Sequence, residues 1–339
     1  MADPRFFVNA LRSGGPDPSG FKKVSIHGPN SALANKEMLD QARWMKGANL
    51  FTPDEIHAAT GWWLDHPDGV PRFELSDKDT EYTASKYVAD KTLDPMTKQA
   101  VNALRVMNPF GLGALAEEYD FDPDNWEAPP SAVLKNSPML TGYPDLNEIN
   151  LKYSDLGDPR VAGYSAGGEI GMNTKSPHLF PYGGNGKATL LHELNHEIER
   201  MEGMSGGATS SLENQLADEA MLDGLIRNVF RNDPNDPDFD FDSLPEAEKV
   251  EMRNRLKMFA QDPNYLSDLN ERAMDNYLAT AGEAQARLVE RRMDMTQEEM
   301  DADPFYKHYS ADTGVPLEDM VHRPFPQTPI SRALLDKSI

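Results

Sequence analysis

The sequence predicts an α+β fold: a small twisted sheet packed on one helix, further helices downstream, and a small α/β module ahead of it. Three observations carry this reading. Leu146–Tyr153 alternates, with Ile149, Leu151 and Tyr153 on one face and Asn150 and Lys152 on the other, as a half-buried strand does. Glu169–Asn173 reads as a second, shorter strand. The glycine-rich Gly183-Gly184-Asn185-Gly186 then launches an amphipathic helix over Lys187–Met201, stopped by Gly203 at a C′ position. Helical stretches over Ser211–Phe230 and Asn270–Met293 follow, and strands ahead of helices is the α+β order.

Upstream, residues 1–34 are rich in Gly, Pro and Ser and read as an irregular arm. The N-terminal module spans 35–130. It opens with a helix over Asn35–Ala48 that Asn35 can cap. Thr52-Pro53-Asp54-Glu55 is a capping box with proline at the first helical position, so a short second helix starts there and ends at Gly61. Arg72–Leu75 reads as a strand, and Trp62, Trp63 and Phe73 are the expected core of the module. A helical piece at Met96–Val106 and an acidic connector, Tyr119–Asp124, lead to a core over 131–299. That core carries an acidic insertion near 231–245, around Asp233–Asp238, and residues 300–339 form a C-terminal extension.

The formal charge of −23 repels phosphate backbones, so nucleic-acid binding is disfavoured, while cations and basic substrates are favoured. There is no cysteine, which excludes thiolate ligands and a cysteine nucleophile; a metal must be held by His, Asp or Glu. No apolar run approaches the roughly 20 residues that span a bilayer. The N-terminus carries no signal-peptide pattern.

The chemistry sits on the Lys187–Met201 helix, as His192-Glu193-Leu194-Asn195-His196. Two histidines four residues apart share one helix face and lie one turn apart, the geometry in which both Nε2 atoms reach one zinc ion. Glu193 is rotated by about 100° from His192 and is placed to activate water as general base. Leu190, Leu194, Ile198 and Met201 form an apolar stripe on the opposite side, which would leave the histidines facing a cleft. Strands, this helix and later helices make the order of a zincin metallopeptidase core.

A catalytic zinc needs a third protein ligand and leaves the fourth position for water. No histidine follows His196 closely, so a carboxylate on a later helix is expected. Glu219 and Glu283 compete, and spacing does not separate them. Gly282 and Ala286 flank Glu283 with small residues that let its helix approach the motif helix, but Thr280-x-x-Glu283 is also a capping box.

Four colinear segments resemble a metallopeptidase-like domain of phage proteins, found within the large polyvalent proteins of phages and related mobile elements. They are Glu55–Asp77, with Gly61-Trp62 and Arg72-Phe73-Glu74-Leu75; Tyr143–Asn173; Leu190–Gly207, around the histidine motif; and Tyr277–Met295, followed by Thr296–Glu299 and Val315-Pro316. The resemblance runs over residues 35–322. It implies a gluzincin-like site in which Glu283, directly after Gly282, is the third ligand beside His192 and His196. One residue departs from the pattern: the second glutamate of the family's motif is Gln285 here, which bears on metal competence. Glu219 falls in a stretch without a counterpart. Tyr277 and Arg287 flank Glu283 at helical spacing and are candidates for donating to the oxyanion of a tetrahedral intermediate, whereas His178 reads as a loop residue.

The expectation is a zinc (Zn2+) metallopeptidase, an endopeptidase acting on a protein or peptide substrate. Phage virion proteins are further partners on this reading, and the place is the infected host's cytoplasm or the virion. The competing expectation is a virion-associated structural protein that keeps a zincin-like fold without needing catalysis.

Overall fold

The computed structural model describes residues 24–84 and 125–322, apart from 160, 167, 177–185, 209–210, 231–239, 293–294 and 312–313. The expected helix at Met96–Val106, the connector Tyr119–Asp124, His178, the turn Gly183–Asn185 and the insertion Asp233–Asp238 lie outside the described residues. The fold is mixed α and β with small sheets. Among the described residues no helix is long and apolar enough to cross a membrane. The chain divides into two compact units that interleave in sequence.

The first unit takes in residues up to Leu64, Pro71–Ile198 and Val289–Pro304. It opens with β1 (Val24–His27), where the sequence predicted only an irregular arm. Ser25, Ile26 and His27 are all buried, so the stretch lacks the alternation by which strands are recognised. Helix α1 (Lys36–Ala48) follows, and Asn35 caps it as predicted by accepting from the Met38 amide at 3.1 Å. Helix α2 (Pro53–Thr60) starts with the full Thr52/Glu55 capping box and ends at Gly61, whose φ of +74° suits glycine. Strand β2 (Phe73–Ser76) pairs antiparallel with β1. Leu39, Ala42, Met45, Ile56, Trp62, Leu64 and Phe73 form one buried cluster beneath these elements.

Inside this module His27 is fully buried. It bonds the Ser25 hydroxyl through Nε2 and the Ser31 hydroxyl through Nδ1 at 2.8 Å, and it stacks on Tyr143. A neutral imidazole can serve both hydroxyls, and burial lowers its pKa to about 3. The unfolded chain titrates near 6.5, so it binds a proton the folded state refuses. Stability is therefore unaffected by this group above pH 6.5 and falls as the pH drops from there towards 3. Denaturant unfolding at pH 7.5 and 5.5 should show about 1.4 kcal/mol more loss in wild type than in His27→Gln. Equal losses in the two proteins refute the assignment.

The next described strands after β3 (Glu81–Tyr82) are β4 (Trp126–Ala128) and β5 (Leu134–Lys135), which pairs with β3. The main sheet adds β6 (Asn150–Ser154), β7 (Gly163–Ala166) and β8 (Glu169–Asn173) in the order β4-β6-β8-β7. Only β6 and β8 run parallel. The predicted strand over Leu146–Tyr153 is shorter than expected, because Pro144–Glu148 is a 3-10 turn that buries Leu146 instead. Strand β8 has the predicted bounds.

The motif helix is α3 (Gly186–Glu202), and Gly203 stops it at φ +69°. Its start is fixed by packing: a Cβ at Gly186 would lie 2.7 Å from the Tyr82 ring, and the Lys187 ammonium donates to the Asp77 carbonyl at 2.9 Å. Leu190, Leu194 and Ile198 are fully buried as the stripe predicts. Away from this stripe, Glu193, Asn195, His196, Glu197 and Glu199 are buried too. His196 thus belongs to a buried polar layer, and such a layer persists only when its groups find partners. Glu197, for one, accepts from the Ser165 hydroxyl of β7 at 2.6 Å.

The second unit takes in Asp65–Val70, Glu199–Leu288 and residues from Phe305. The predicted helix over Ser211–Phe230 is two helices, α4 (Leu212–Ala217) and α5 (Glu219–Phe230). They break at Asp218, which is extended and whose carboxylate accepts from the Met221 amide at 3.1 Å, starting the second helix. Helix α6 (Glu246–Phe259) was not foreseen. The stretch Asn270–Met293 is also two helices, α7 (Pro263–Leu278) and α8 (Ala281–Arg292), divided where Thr280 bridges to Val321. Leu212, Leu222, Leu225, Ile226, Phe241, Leu256, Leu269 and Ala273 make this unit's core. Both α3 and α8 continue from one unit into the other.

Candidate metal centre

Helical spacing brings the two histidines of α3 together as the sequence implies. Their Nε2 atoms stand 3.1 Å apart, with the rings nearly perpendicular at a centroid distance of 4.8 Å. Two nitrogens each about 2.05 Å from one ion at a tetrahedral angle stand about 3.3 Å apart, so the pair already has the separation a zinc ion needs. Both rings are largely withdrawn from water, His196 being 8 % exposed.

Glu283 sits in the first turn of α8 and is 2 % exposed. Its Oε1 accepts from the Ala208 amide at 2.9 Å. The hydroxyl of Thr280, the residue a capping box would use, bonds back to the Asn276 carbonyl at 3.2 Å. His192, His196 and Glu283 are a set of donors that could hold a metal ion. Two imidazoles and one carboxylate suit a zinc ion that keeps a position open, so the residues present fit the metal.

The remaining site residues fall into different surroundings. Glu219, the rival third ligand, is 75 % exposed at its side chain and pairs with Arg253 at 2.9 Å. Gln285 is buried but committed elsewhere: its Oε1 accepts from the Tyr309 hydroxyl at 2.9 Å, and its amide lies 3.7 Å from the Met204 sulfur. The substitution at this position therefore falls in the packed interior. Arg287 donates to the Leu278 carbonyl at the end of α7, and Tyr277 is half-buried on α7.

Glu193, between the two histidines, is buried beneath β7. A Cβ added to Gly163 would lie 3.1 Å from its Oε1 and 3.1 Å from the Thr189 methyl, so glycine there leaves the carboxylate its room. Sequence reasoning passed over Glu290, whose Oε1 lies 3.2 Å from His192 Nδ1. The signal was available, because Glu290 follows Glu283 by seven residues and so recurs on the same face of α8 two turns later. The end of this helix is anchored: Arg292 forms a bidentate pair with Glu74 at 2.7 and 3.0 Å, and burial, partly offset by that guanidinium, raises the Glu74 pKa.

Comparison with known proteins bears on the N-terminal module. Residues 24–83 match the family described as large polyvalent protein associated domain 23. The match covers β1 to β3 and includes the Gly61-Trp62 and Arg72–Leu75 segment, and it ends before any of the three candidate ligands. No curated protein and no solved structure matches the chain.

Proposed function

We propose that this chain is a zinc-dependent peptidase with a zincin-like core, in which His192, His196 and Glu283 hold the metal and Glu193 is the general base. The observation that carries the reading is the pair of Nε2 atoms 3.1 Å apart on α3, with a buried carboxylate between them in sequence. Bound zinc supplies Lewis acidity and lowers the pKa of a water towards about 7. Glu193 accepts a proton from the attacking water and delivers it to the leaving amine. The acidic surface favours basic segments of a protein substrate. The match at residues 24–83 supports an association with polyvalent proteins, and a phage setting, in the infected cell or the virion, rests on the sequence resemblance.

Metal analysis of the dialysed protein should find about one zinc per chain, and the protein should cleave casein until the metal is chelated. Glu283→Ala should lose zinc, whereas Glu219→Ala should keep it, since Glu219 is an exposed partner of Arg253. A wild-type protein that binds no zinc overturns the proposal.

A further inference from the structure

We propose that Glu290 is a positioning residue that fixes His192 in the orientation and tautomer required of a metal ligand; this rests on the zinc reading above. An imidazole binds metal through a nitrogen that carries no proton, so the other nitrogen must hold it. His192 Nε2 lies 3.1 Å from His196 Nε2, and its Nδ1 lies 3.2 Å from Glu290 Oε1, a close contact that falls short of hydrogen-bond geometry. A carboxylate at Nδ1 favours the Nδ1–H tautomer, leaves Nε2 bare and raises its basicity. In the metal-free protein the same assignment lets the His196 Nε2–H donate to His192 Nε2, which accounts for the short separation of the two rings' nitrogens.

The helix that carries Glu290 is suited to this task. Glu283 and Glu290 are two turns apart on one face of α8, so a single element presents a ligand and the support for another ligand. The last turn is held by the buried Arg292–Glu74 pair, and Arg292 donates to the Asp303 carbonyl at 2.7 Å as well. The Glu290 carboxylate, 35 % exposed, therefore stands on a fixed backbone beside a histidine whose side chain is only 12 % exposed. A solvated charge with no task would have no reason to sit at the one nitrogen whose protonation decides the ligand.

The test compares wild type with Glu290→Ala and Glu290→Gln, after circular dichroism establishes that each is folded. Zinc affinity, measured by competition with a chromophoric chelator, should fall about 10- to 100-fold in Glu290→Ala. It should stay close to wild type in Glu290→Gln, whose carbonyl can still accept from Nδ1–H. NMR shifts of the ring nitrogens in the zinc-free proteins should place His192 in the Nδ1–H tautomer in wild type and move it towards Nε2–H in Glu290→Ala. If Glu290→Ala binds zinc as wild type does, or leaves the tautomer unchanged, the positioning role is overturned while the zinc reading stands. If wild type binds no zinc, the zinc reading fails, and the tautomer measurement alone then decides whether Glu290 orients His192.

Discussion

Replacing Glu193 by Gln is expected to leave about one zinc per chain and to lower peptide hydrolysis by about 10²- to 10⁴-fold, the contribution of a positioned general base. The amide has the size and shape of the carboxylate, so it can occupy the space that Gly163 leaves beneath β7 without moving the neighbouring Thr189. It cannot accept a proton from water at neutral pH. Because the two histidines lie on either side of residue 193 in the helix, their ligand atoms stay in place and metal content becomes the control for folding of the site. Loss of both zinc and activity points to a structural defect, and His192→Ala then serves as the reference for a metal-free chain. A Glu193→Gln protein that holds zinc and still hydrolyses casein at the wild-type rate removes Glu193 from the mechanism.

What the sequence revealed, and what it concealed, follows the range of the interactions involved. The cap at Asn35, the Thr52/Glu55 box and the stop at Gly203 act within a few residues, and each stands in the structure where its residue type requires it. The divisions of the two long helical stretches are different in kind. Apolar periodicity continues through Asp218 and through Ala279, and what separates α7 from α8 is a bridge from Thr280 to Val321, 41 residues away and invisible to any local pattern. The burial of polar residues on α3 has a similar source. Glu197 and Glu199 look like solvated positions in sequence, yet they are buried in an enclosed layer whose partners, such as Ser165, come from distant strands.

The candidate site shows the same contrast. Its two histidines could be read from four-residue spacing alone, whereas spacing left Glu219 and Glu283 equal. The exposure of Glu219 beside Arg253 and the burial of Glu283 are tertiary facts. Gln285 carried the opposite risk: it stands where the resembling pattern has a glutamate, but its amide is spent on Tyr309 and Met204.

Gly282→Ala is expected to destabilise the protein and to weaken zinc binding, although alanine is the better helix former. Two effects of opposite sign meet here. In the first turn of a helix the change from glycine stabilises by up to about 1 kcal/mol through propensity and the entropy of the unfolded chain. Against it, a Cβ at 282 would lie 2.3 Å from both the carbonyl carbon and oxygen of Gly206 and 2.6 Å from the Gly207 nitrogen. Carbon atoms in contact prefer about 3.5–4.0 Å, and these neighbours are backbone, which cannot rotate aside as a side chain can. Overpacking of this kind costs about 1–3 kcal/mol, so the clash wins and net stability falls. The displaced segment also carries the Ala208 amide that donates to Glu283 Oε1. Moving it shifts the ligand itself, and zinc affinity should drop by about tenfold or more, as when an outer partner of a metal ligand is lost. Denaturant unfolding and chelator competition on the one variant measure both consequences. A Gly282→Ala protein more stable than wild type, with unchanged zinc affinity, would show that α8 does not depend on this close approach and that Glu283 is held by other means.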